Sequence, residues 1–490
     1  MSTRGFASTD GFPVILWSDV LIWLLLFGAI ALAVLSARNP LLVAAWWRVG
    51  RSRAGMASAT LLIAFVVVGL LDSIHYRPRL EHPVGQGAAG SEEQPAAYAV
   101  EVLSLLDGIL SSLRTRNEKT YSEPLATRAH AKESIEVRDA NGQLRQSRDY
   151  PRLKYGGAHL GADEAQRHAD IGERVLRATG IALLAWWALA ATVAAVLARR
   201  AGCVQCEAWR RIWRNESDFA WNAVLVAVAG LLLLGAPVAL LAVDYHVFGT
   251  DKVGQDVLYQ VLKSVRTALV IGLVTTLVML PLSILLGVIA GYFRGWVDDL
   301  IQYLYTTLSS IPGVLLIAAA VLMMQVVIDT HPQWFATAAE RADLRLVALC
   351  FILGVTSWTG LCRLLRGETL KLRELEYIQA AQAFGVPDLR IIARHILPNL
   401  MHIVIIALVM DFSSLVLAEA VLSYVGIGVD PTMISFGTMI NNARLELARE
   451  PVVWWSLAAA FVFMFTLVLA ANLLADAVRD AFDPRLAGSA

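Results

Sequence analysis

Carboxylates set inside apolar sequence are the chemically loaded groups of this 490-residue chain. Asp411 and Glu419 stand eight residues apart in one long apolar run, with Ser413 and Ser414 beside the first. On a helix that spacing brings the two acids roughly onto one face. Ionisable groups at membrane depth usually face a cavity or a partner, so these four residues could line a path for a polar solute. An interhelical hydrogen bond, or a place near the outer interface for Glu419, reads as readily from the same pattern. Covalent and metal chemistry have less to stand on. Cys203 and Cys206 form a single C-x-x-C with no second ligand pair nearby, and structural metal sites need one. His75, His82, His130, His159 and His168 are scattered without ligand spacing and read as solvated surface residues. There is no G-x-x-x-x-G-K-[ST], no H-E-x-x-H and no G-x-S-x-G. The expectation is a chain with no catalytic residue, no metal and no bound cofactor of its own.

A second polar stretch, Tyr377 to Asn399, reads YIQAAQAFGVPDLRIIARHILPN between apolar runs. Its pattern is helix, break, helix. Gln379, Ala380, Ala381, Gln382 and Ala383 are good helix formers. Gly385 supplies the C-terminal break, Pro387 and Asp388 suit a new helix start, and Pro398 is expected to end the second helix. The stretch reads either as an ordinary hairpin between spans or as a docking element. In the second case the small pair Ala380 and Ala381 admits a partner surface, and Arg373, Glu374, Glu376, Arg390 and Arg394 orient it.

The elements that must hold these residues are membrane helices. The chain is 57% hydrophobic and 17% charged, well beyond a soluble domain. Its formal net charge is zero, which argues against a polyanionic partner such as nucleic acid. Nine apolar runs approach or exceed span length, at 14–35, 56–75, 177–197, 221–243, 267–292, 301–327, 345–362, 400–424 and 453–474. Arginines cluster after the first run (Arg38, Arg48, Arg51, Arg53), after the third (Arg199, Arg200, Arg210, Arg211, Arg214) and after the seventh. Short positive loops stay in the cytoplasm. Nine crossings with the N-terminus outside satisfy all three clusters, leaving the C-terminus and the Tyr377 stretch cytoplasmic. The first run carries its arginines behind it, so it reads as an anchor and not as a cleaved signal. Cys350 and Cys362 read as small buried hydrophobes.

Four segments follow. Residues 1–75 hold two N-terminal transmembrane helices, and 76–175 an extracytoplasmic (periplasmic) insertion domain. Residues 176–220 hold the third helix and a cytoplasmic linker, and 221–486 a six-helix core with its cytoplasmic loop at 363–399. Within the insertion, 97–114 has the apolar spacing of one amphipathic helix, and Val137–Leu144 reads as strand, turn, strand about Asn141-Gly142. The fold class is an all-α integral membrane protein with a small α+β external domain.

Several motifs in order carry a resemblance. Tyr377, Ala380, Ala381, Gly385, Ile391, Arg394, His395, Leu397, Pro398 and Asn399 resemble the coupling loop of bacterial ABC-importer permeases of the dipeptide/oligopeptide type, with Gln379 where that family usually has glutamate. Gly249, Thr250, Asp251, Gly254 and Asp256, followed by Val257, Leu258 and Arg266, resemble the segment after the family's first core span. Gly291 to Asp298, Ile311-Pro312-Gly313, Leu417 to Gly428, Asn472 to Asp476 and Asp480 to Arg485 continue the likeness, although Thr306 replaces a common aspartate. Together they cover about 221–486, a six-span ABC importer permease core. Residues 1–220 have no counterpart there; docking a binding protein or bracing a partner permease are the roles considered for them.

The resemblance implies a permease subunit of the bacterial inner membrane, forming half of a translocation pathway for peptides, or for nickel or another small solute. It implies as partners a second homologous permease, two ATPase subunits that bind ATP and Mg, a periplasmic substrate-binding protein and membrane lipid. A secondary transporter, which needs inverted repeats and broken helices, and a membrane-anchored sensor or scaffold built on 76–175 are the competing readings.

Overall fold

The computed structural model describes residues 12–37, 40–79, 98–138, 144–161, 163–202, 204–335 and 337–482. In chain order the elements are β1 (Phe12–Val14), α1 (Trp17–Ser36), α2 (Pro40–Arg51), α3 (Arg53–Asp72), β2 (His75–Arg77), β3 (Leu103–Ser104), α4 (Leu105–Ile109), α5 (Ser111–Thr115), β4 (Glu133–Arg138) and β5 (Leu144–Asp149). Then come α6 (Arg167–Ala201), α7 (Gln205–Arg214), α8 (Trp221–Leu241), α9 (Val257–Phe293), α10 (Gly295–Ser310), α11 (Gly313–Thr330), α12 (Ala338–Ser357) and α13 (Thr359–Arg373). The chain closes with α14 (Glu376–Ala383), α15 (Asp388–Ile391), α16 (Leu397–Val425), α17 (Phe436–Glu446) and α18 (Trp455–Phe482).

Among the described residues seven helices are long and apolar enough to cross a membrane, and eight if the bent pair α12–α13 counts as one span. The first expected run forms α1, a helix of 20 residues. Two expected spans are broken. The run at 301–327 divides into α10 and α11 because Pro312 holds Ile311 in extended backbone, ψ 132°. The run at 345–362 bends by 40° between α12 and α13.

α9 is the axis. It is capped by Asp256, whose carboxylate accepts the Leu258 N–H at 2.8 Å, and it packs against α12, α13, α16 and α3. With no water to expel between helices in lipid, close van der Waals fit does the holding. α6 shows the device plainly. Ala178, Ala182, Ala190, Ala194 and Ala198 make a buried small-residue stripe, along which α8 lies, spaced by four residues except where Trp186 takes its place in the row, and Trp186 Nε1 donates to the Leu225 carbonyl at 2.8 Å.

The N-terminal helices are built into this core. α3 packs on α18, α8 and α9, α1 on α9 and α12, and α2 on α18. A polar network ties them at one end of the bundle. Arg266 of α9 donates from Nη2 to Asp19 Oδ1 and to Ser18 Oγ of α1, both at 2.7 Å. Lys263 reaches Asp72 of α3 at 2.8 Å and Asp107 of α4 at 3.0 Å, and Tyr259 donates to Asp107 at 2.8 Å. His75 sits against Asp19 at 2.7 Å, and His130 lies edge-on to Trp455 and 3.1 Å from Glu123. The side chains of these two histidines are therefore largely buried and do not fit the surface reading, because Asp19 of α1 covers His75 and Trp455 of α18 covers His130. His159 pairs with Asp170 at 2.9 Å, His168 is exposed, and His82 lies outside the described residues.

The insertion departs from expectation in two places. Residues 97–114 form no single helix. Ser104 and Asp107 make a capping box that starts α4 at Leu105, and Leu110, outside helical backbone, divides it from α5. α6 begins ten residues before the expected span, since its first turns carry Ile171 and Val175 onto Leu241 and Tyr245. The hairpin is present as β4 and β5, paired from Glu133–Asp149 to Arg138–Leu144. Its Asn141-Gly142 turn lies outside the described residues.

Candidate functional site

The Tyr377–Asn399 stretch forms a short helix, a glycine turn and a second helix, anchored by three isoleucines. Ile378, Ile391 and Ile396 are fully buried in a cluster with Tyr292, Leu361 and Leu365. Opposite them Phe384 is 87% exposed, Leu389 79% and Tyr377 46%. The turn is a Schellman motif: Gly385 N–H donates to the Gln382 carbonyl at 2.9 Å and Val386 N–H to the Ala381 carbonyl at 3.1 Å. Gly385 has φ +73°, the left-handed region that a side chain resists. Ala380 faces out, whereas Ala381 packs inward on the isoleucine cluster. Gln379 Nε2 donates to the Glu374 carbonyl at 3.2 Å. Asn399 Nδ2 donates to Tyr377 Oη at 3.1 Å and to the His395 carbonyl at 2.7 Å, drawing the two ends of the stretch together. Arg394 and Pro398 are exposed, and His395 and Leu397 half-buried.

Pro398 does not end the second helix. α15 runs through a π-helical turn, Ile392–Ile396, directly into α16. Leu397 N–H bonds five residues back, to Ile392. The widened turn takes up the register that a proline, lacking its N–H and crowding the carbonyl four residues earlier, would break in an α-helix. Tyr292, at the end of α9, is a tether that sequence reasoning missed. Its hydroxyl donates to Asp388 Oδ1 at 2.6 Å and accepts from Gln382 Nε2 at 3.2 Å, while Arg373 holds its carbonyl at 2.7 Å. Its place in Gly291–Asp298 marked it only as part of a motif.

At the far end of the bundle the Gly249–Asp256 turn lies against the insertion, with Gly249, Thr250, Gly254 and Asp256 buried and Lys252 and Val253 exposed. Asp251 Oδ1 accepts the N–H groups of Val253 and Gln255 at 2.9 and 2.8 Å, and Gln260 Nε2 reaches Oδ2 at 2.6 Å. Thr250 Oγ1 accepts the Ser122 N–H at 2.7 Å and donates to the Thr120 carbonyl at 2.9 Å. Trp455 Nε1 donates to the Thr250 carbonyl at 2.9 Å. Gly254 has φ +77°, and a Cβ on it would stand 2.0 Å from the Glu118 carbonyl oxygen. The turn and the insertion can meet only around a glycine. Gly249 likewise has positive φ and lies against Ser122.

Inside this contact His246 bridges two carboxylates, with Nδ1 2.7 Å from Asp256 and Nε2 3.4 Å from Glu118. Burial works against the imidazolium, yet the Asp256 and Glu118 carboxylates outweigh it and raise the histidine to about 9. Burial pushes the Glu118 carboxyl up, but His246 and the N–H groups of Lys154, Tyr155 and Gly156 together hold it at about 2. No spacing signal pointed to His246, since Glu118 lies 128 residues away.

The membrane-depth acids do not share one surface. Eight residues carry a helix about 80° past two full turns. Glu419 is buried and accepts from Ser423 Oγ at 2.6 Å and Ser435 Oγ at 3.0 Å. Asp411 is half-buried, Ser414 is exposed and donates to the Asp411 carbonyl at 2.8 Å. Ser413 is buried and donates to Asn472 of α18 at 2.6 Å. Cys206 is exposed on α7, Cys350 and Cys362 are buried, and Cys203 lies outside the described residues.

Residues 283–488 match the family described as binding-protein-dependent transport system inner membrane component. The glutathione transport system permease protein GsiD of Pectobacterium atrosepticum is 32% identical over 301 residues, covering 57% of this chain and 91% of that protein. The oligopeptide transport system permease protein OppC of Mycobacterium tuberculosis is 32% identical over 239 residues, covering 49% and 76%. A solved structure, titled as inward-facing conformations of the MetNI methionine ABC transporter, is similar at 18% identity and a TM-score of 0.34, covering 46% of this chain and 96% of that one. With a core of span-length helices, an outward-facing loop helix between two of them and a relative matched along nearly its whole length, the chain belongs to the binding-protein-dependent inner-membrane permeases of ABC transporters.

Proposed function

We propose that this permease admits short peptides, glutathione-like tripeptides included, and that it forms half of the pathway beside a second, homologous permease chain. Two ATPase subunits carrying ATP and Mg drive it, and a periplasmic binding protein delivers the solute. The chain crosses the membrane nine times, N-terminus outside and C-terminus in the cytoplasm, with the loop end of the bundle facing the ATPases. The arginine clusters support that orientation.

One observation carries the coupling assignment: Tyr377, Phe384 and Leu389 are exposed on a loop whose opposite face is locked into the core by Ile378, Ile391 and Ile396. An apolar face on a rigid mount suits a partner's cleft. Closure of the ATPase pair would press the α14–α15 unit, and the unbroken helix from α15 into α16 would carry the displacement to Asp411 and Ser414 in the pathway. Gln379 in place of an acid makes this contact depend on shape more than on charge.

The test is uptake of labelled di- and tripeptides by the reconstituted complex. Gly385→Val forces a β-branched residue into the left-handed region, at a cost near 1–2 kcal/mol, or about tenfold in the populated loop geometry. Uptake and substrate-stimulated ATP hydrolysis are expected to fall together by about that factor, with membrane insertion unchanged. Full uptake in this variant, or no ATPase subunit retained by the purified chain, removes the coupling assignment.

A further inference from the structure

α2 and α7 share an end of the bundle and a surface chemistry that the transport reading leaves unused. α7 turns Ala208 and Ile212 inward, Ile212 joining Ala190 and Ala194 of α6 and Leu225 of α8. α2 turns Ala45 and Val49 onto Val478, Ala481 and Phe482 of α18. Phe219, in the segment between α7 and α8, ties that segment to α2. Its ring stacks on Trp47 at 5.0 Å, and the next residue's N–H, that of Ala220, donates to the Gly50 carbonyl at 2.8 Å. Both helices thus lie where the spans α3, α6 and α8 end.

The outward faces carry indole and guanidinium groups. Trp46, Trp47 and Trp213 are exposed. So are Arg48 and Arg51 of α2, Arg53 at the start of α3, and Arg210 and Arg214 of α7. Arg211 pairs with Glu207 at 2.6 Å, but among the described residues these five make no ion pair. Glu216 and Asp218 offset only part of the charge. Indoles settle at headgroup depth, and an amphipathic helix with arginines beside them binds an anionic interface.

We infer that α2 and α7 form one anionic-phospholipid site, in which the five arginines hold headgroup phosphates while the three tryptophans sit at the acyl boundary. The inference rests on the orientation proposed above, which turns this end to the cytoplasmic leaflet. A soluble acidic partner fits less well, because the indoles and the adjoining span ends fix the surface at membrane depth.

The test uses the full chain reconstituted in mixed phosphatidylcholine and phosphatidylglycerol, then extracted gently, with the retained lipid read by native mass spectrometry. The chain is expected to retain phosphatidylglycerol above its share of the mixture. A variant with Arg48, Arg51, Arg210 and Arg214 all changed to Gln is expected to lose that enrichment. The same four positions changed to Lys keep it, because the charge remains. No enrichment in the unaltered chain, enrichment persisting in the glutamine variant, or loss in both variants overturns the proposal. Enrichment abolished by bound ATPase subunits also overturns it, since the surface would then be a protein contact. Lipid retention needs no transport, so a failed importer reading, seen in uptake, is distinguishable from a failed lipid site.

Discussion

At the scale of single residues, the Glu118–His246–Asp256 contact makes the strongest claim. His246 is raised from an ordinary 6.5 to about 9, so its charged form strengthens the contact fully below about 6.5. That contribution is lost as pH rises through about 9. Glu118 is lowered from 4.5 to about 2, so its contribution is present above 4.5 and fades as pH falls through about 2. The insertion is held most firmly between those limits, from about 4.5 to about 6.5. Protection of 118–131 from hydrogen exchange, taken relative to the intrinsic rate at each pH, is expected to be greatest near pH 6 and to fall toward about pH 10. His246→Ala should flatten that pH dependence and loosen the insertion by about 3 kcal/mol, the cost of orphaning a buried charge. An unchanged profile in the variant would show that the pair is incidental. Gly254→Ala should free the same segment for a steric reason and so at every pH, which limited proteolysis of 118–131 would report. The turn itself was legible, because Gly, Thr, Asp and Gly at close spacing announce a tight loop. What covers it was not, since sequence separation says nothing about which distant carboxylate arrives.

At the scale of elements, apolar length located the helices well and their ends poorly. Hydropathy registers lipid contact, whereas the first turns of α6 are helical through packing on Leu241 and Tyr245 outside any apolar run. Proline misled in both directions: Pro312 breaks the run expected at 301–327 by holding Ile311 extended, and Pro398 ends no helix because a π-helical turn absorbs it. The loop's two-helix pattern was readable from Gly385 and Pro387, but its mounting on Tyr292 was not. Tyr292→Phe removes the hydroxyl shared by Asp388 and Gln382 and should loosen the loop by about 1 kcal/mol. Faster hydrogen exchange across 376–391, with a smaller loss of uptake than Gly385→Val produces, is the expected pattern. Orientation can be read at α7. With Cys203 changed to Ser, exposed Cys206 should react with a membrane-impermeant maleimide in inverted vesicles and not in intact cells. The reverse pattern would invert the topology.

At the scale of the molecule, the N-terminal helices and the family core form one packed body. Sequence could separate residues 1–220 from the motif-bearing remainder, yet it could not show α3 lying against α18, because helix contacts in lipid rest on small-residue fit and leave little pattern. Replacing 98–166 by a flexible linker should leave α8 to α18 in the membrane fraction, since α3 meets them within the bilayer. The Gly249–Asp256 turn should then become cleavable by external protease. Loss of the core helices from that fraction would make the insertion part of the folding unit. The polar network at the Val257 end of α9 also bears on biogenesis. Asp72 is synthesised 191 residues before Lys263, and Asp19 247 residues before Arg266. At ordinary elongation rates those aspartates wait about 10–50 s for their cations. During that interval α1 and α3 must be sheltered by the insertion machinery or remain mobile, so a nascent chain arrested before Val257 should be extracted from the membrane far more easily than one arrested after Phe293.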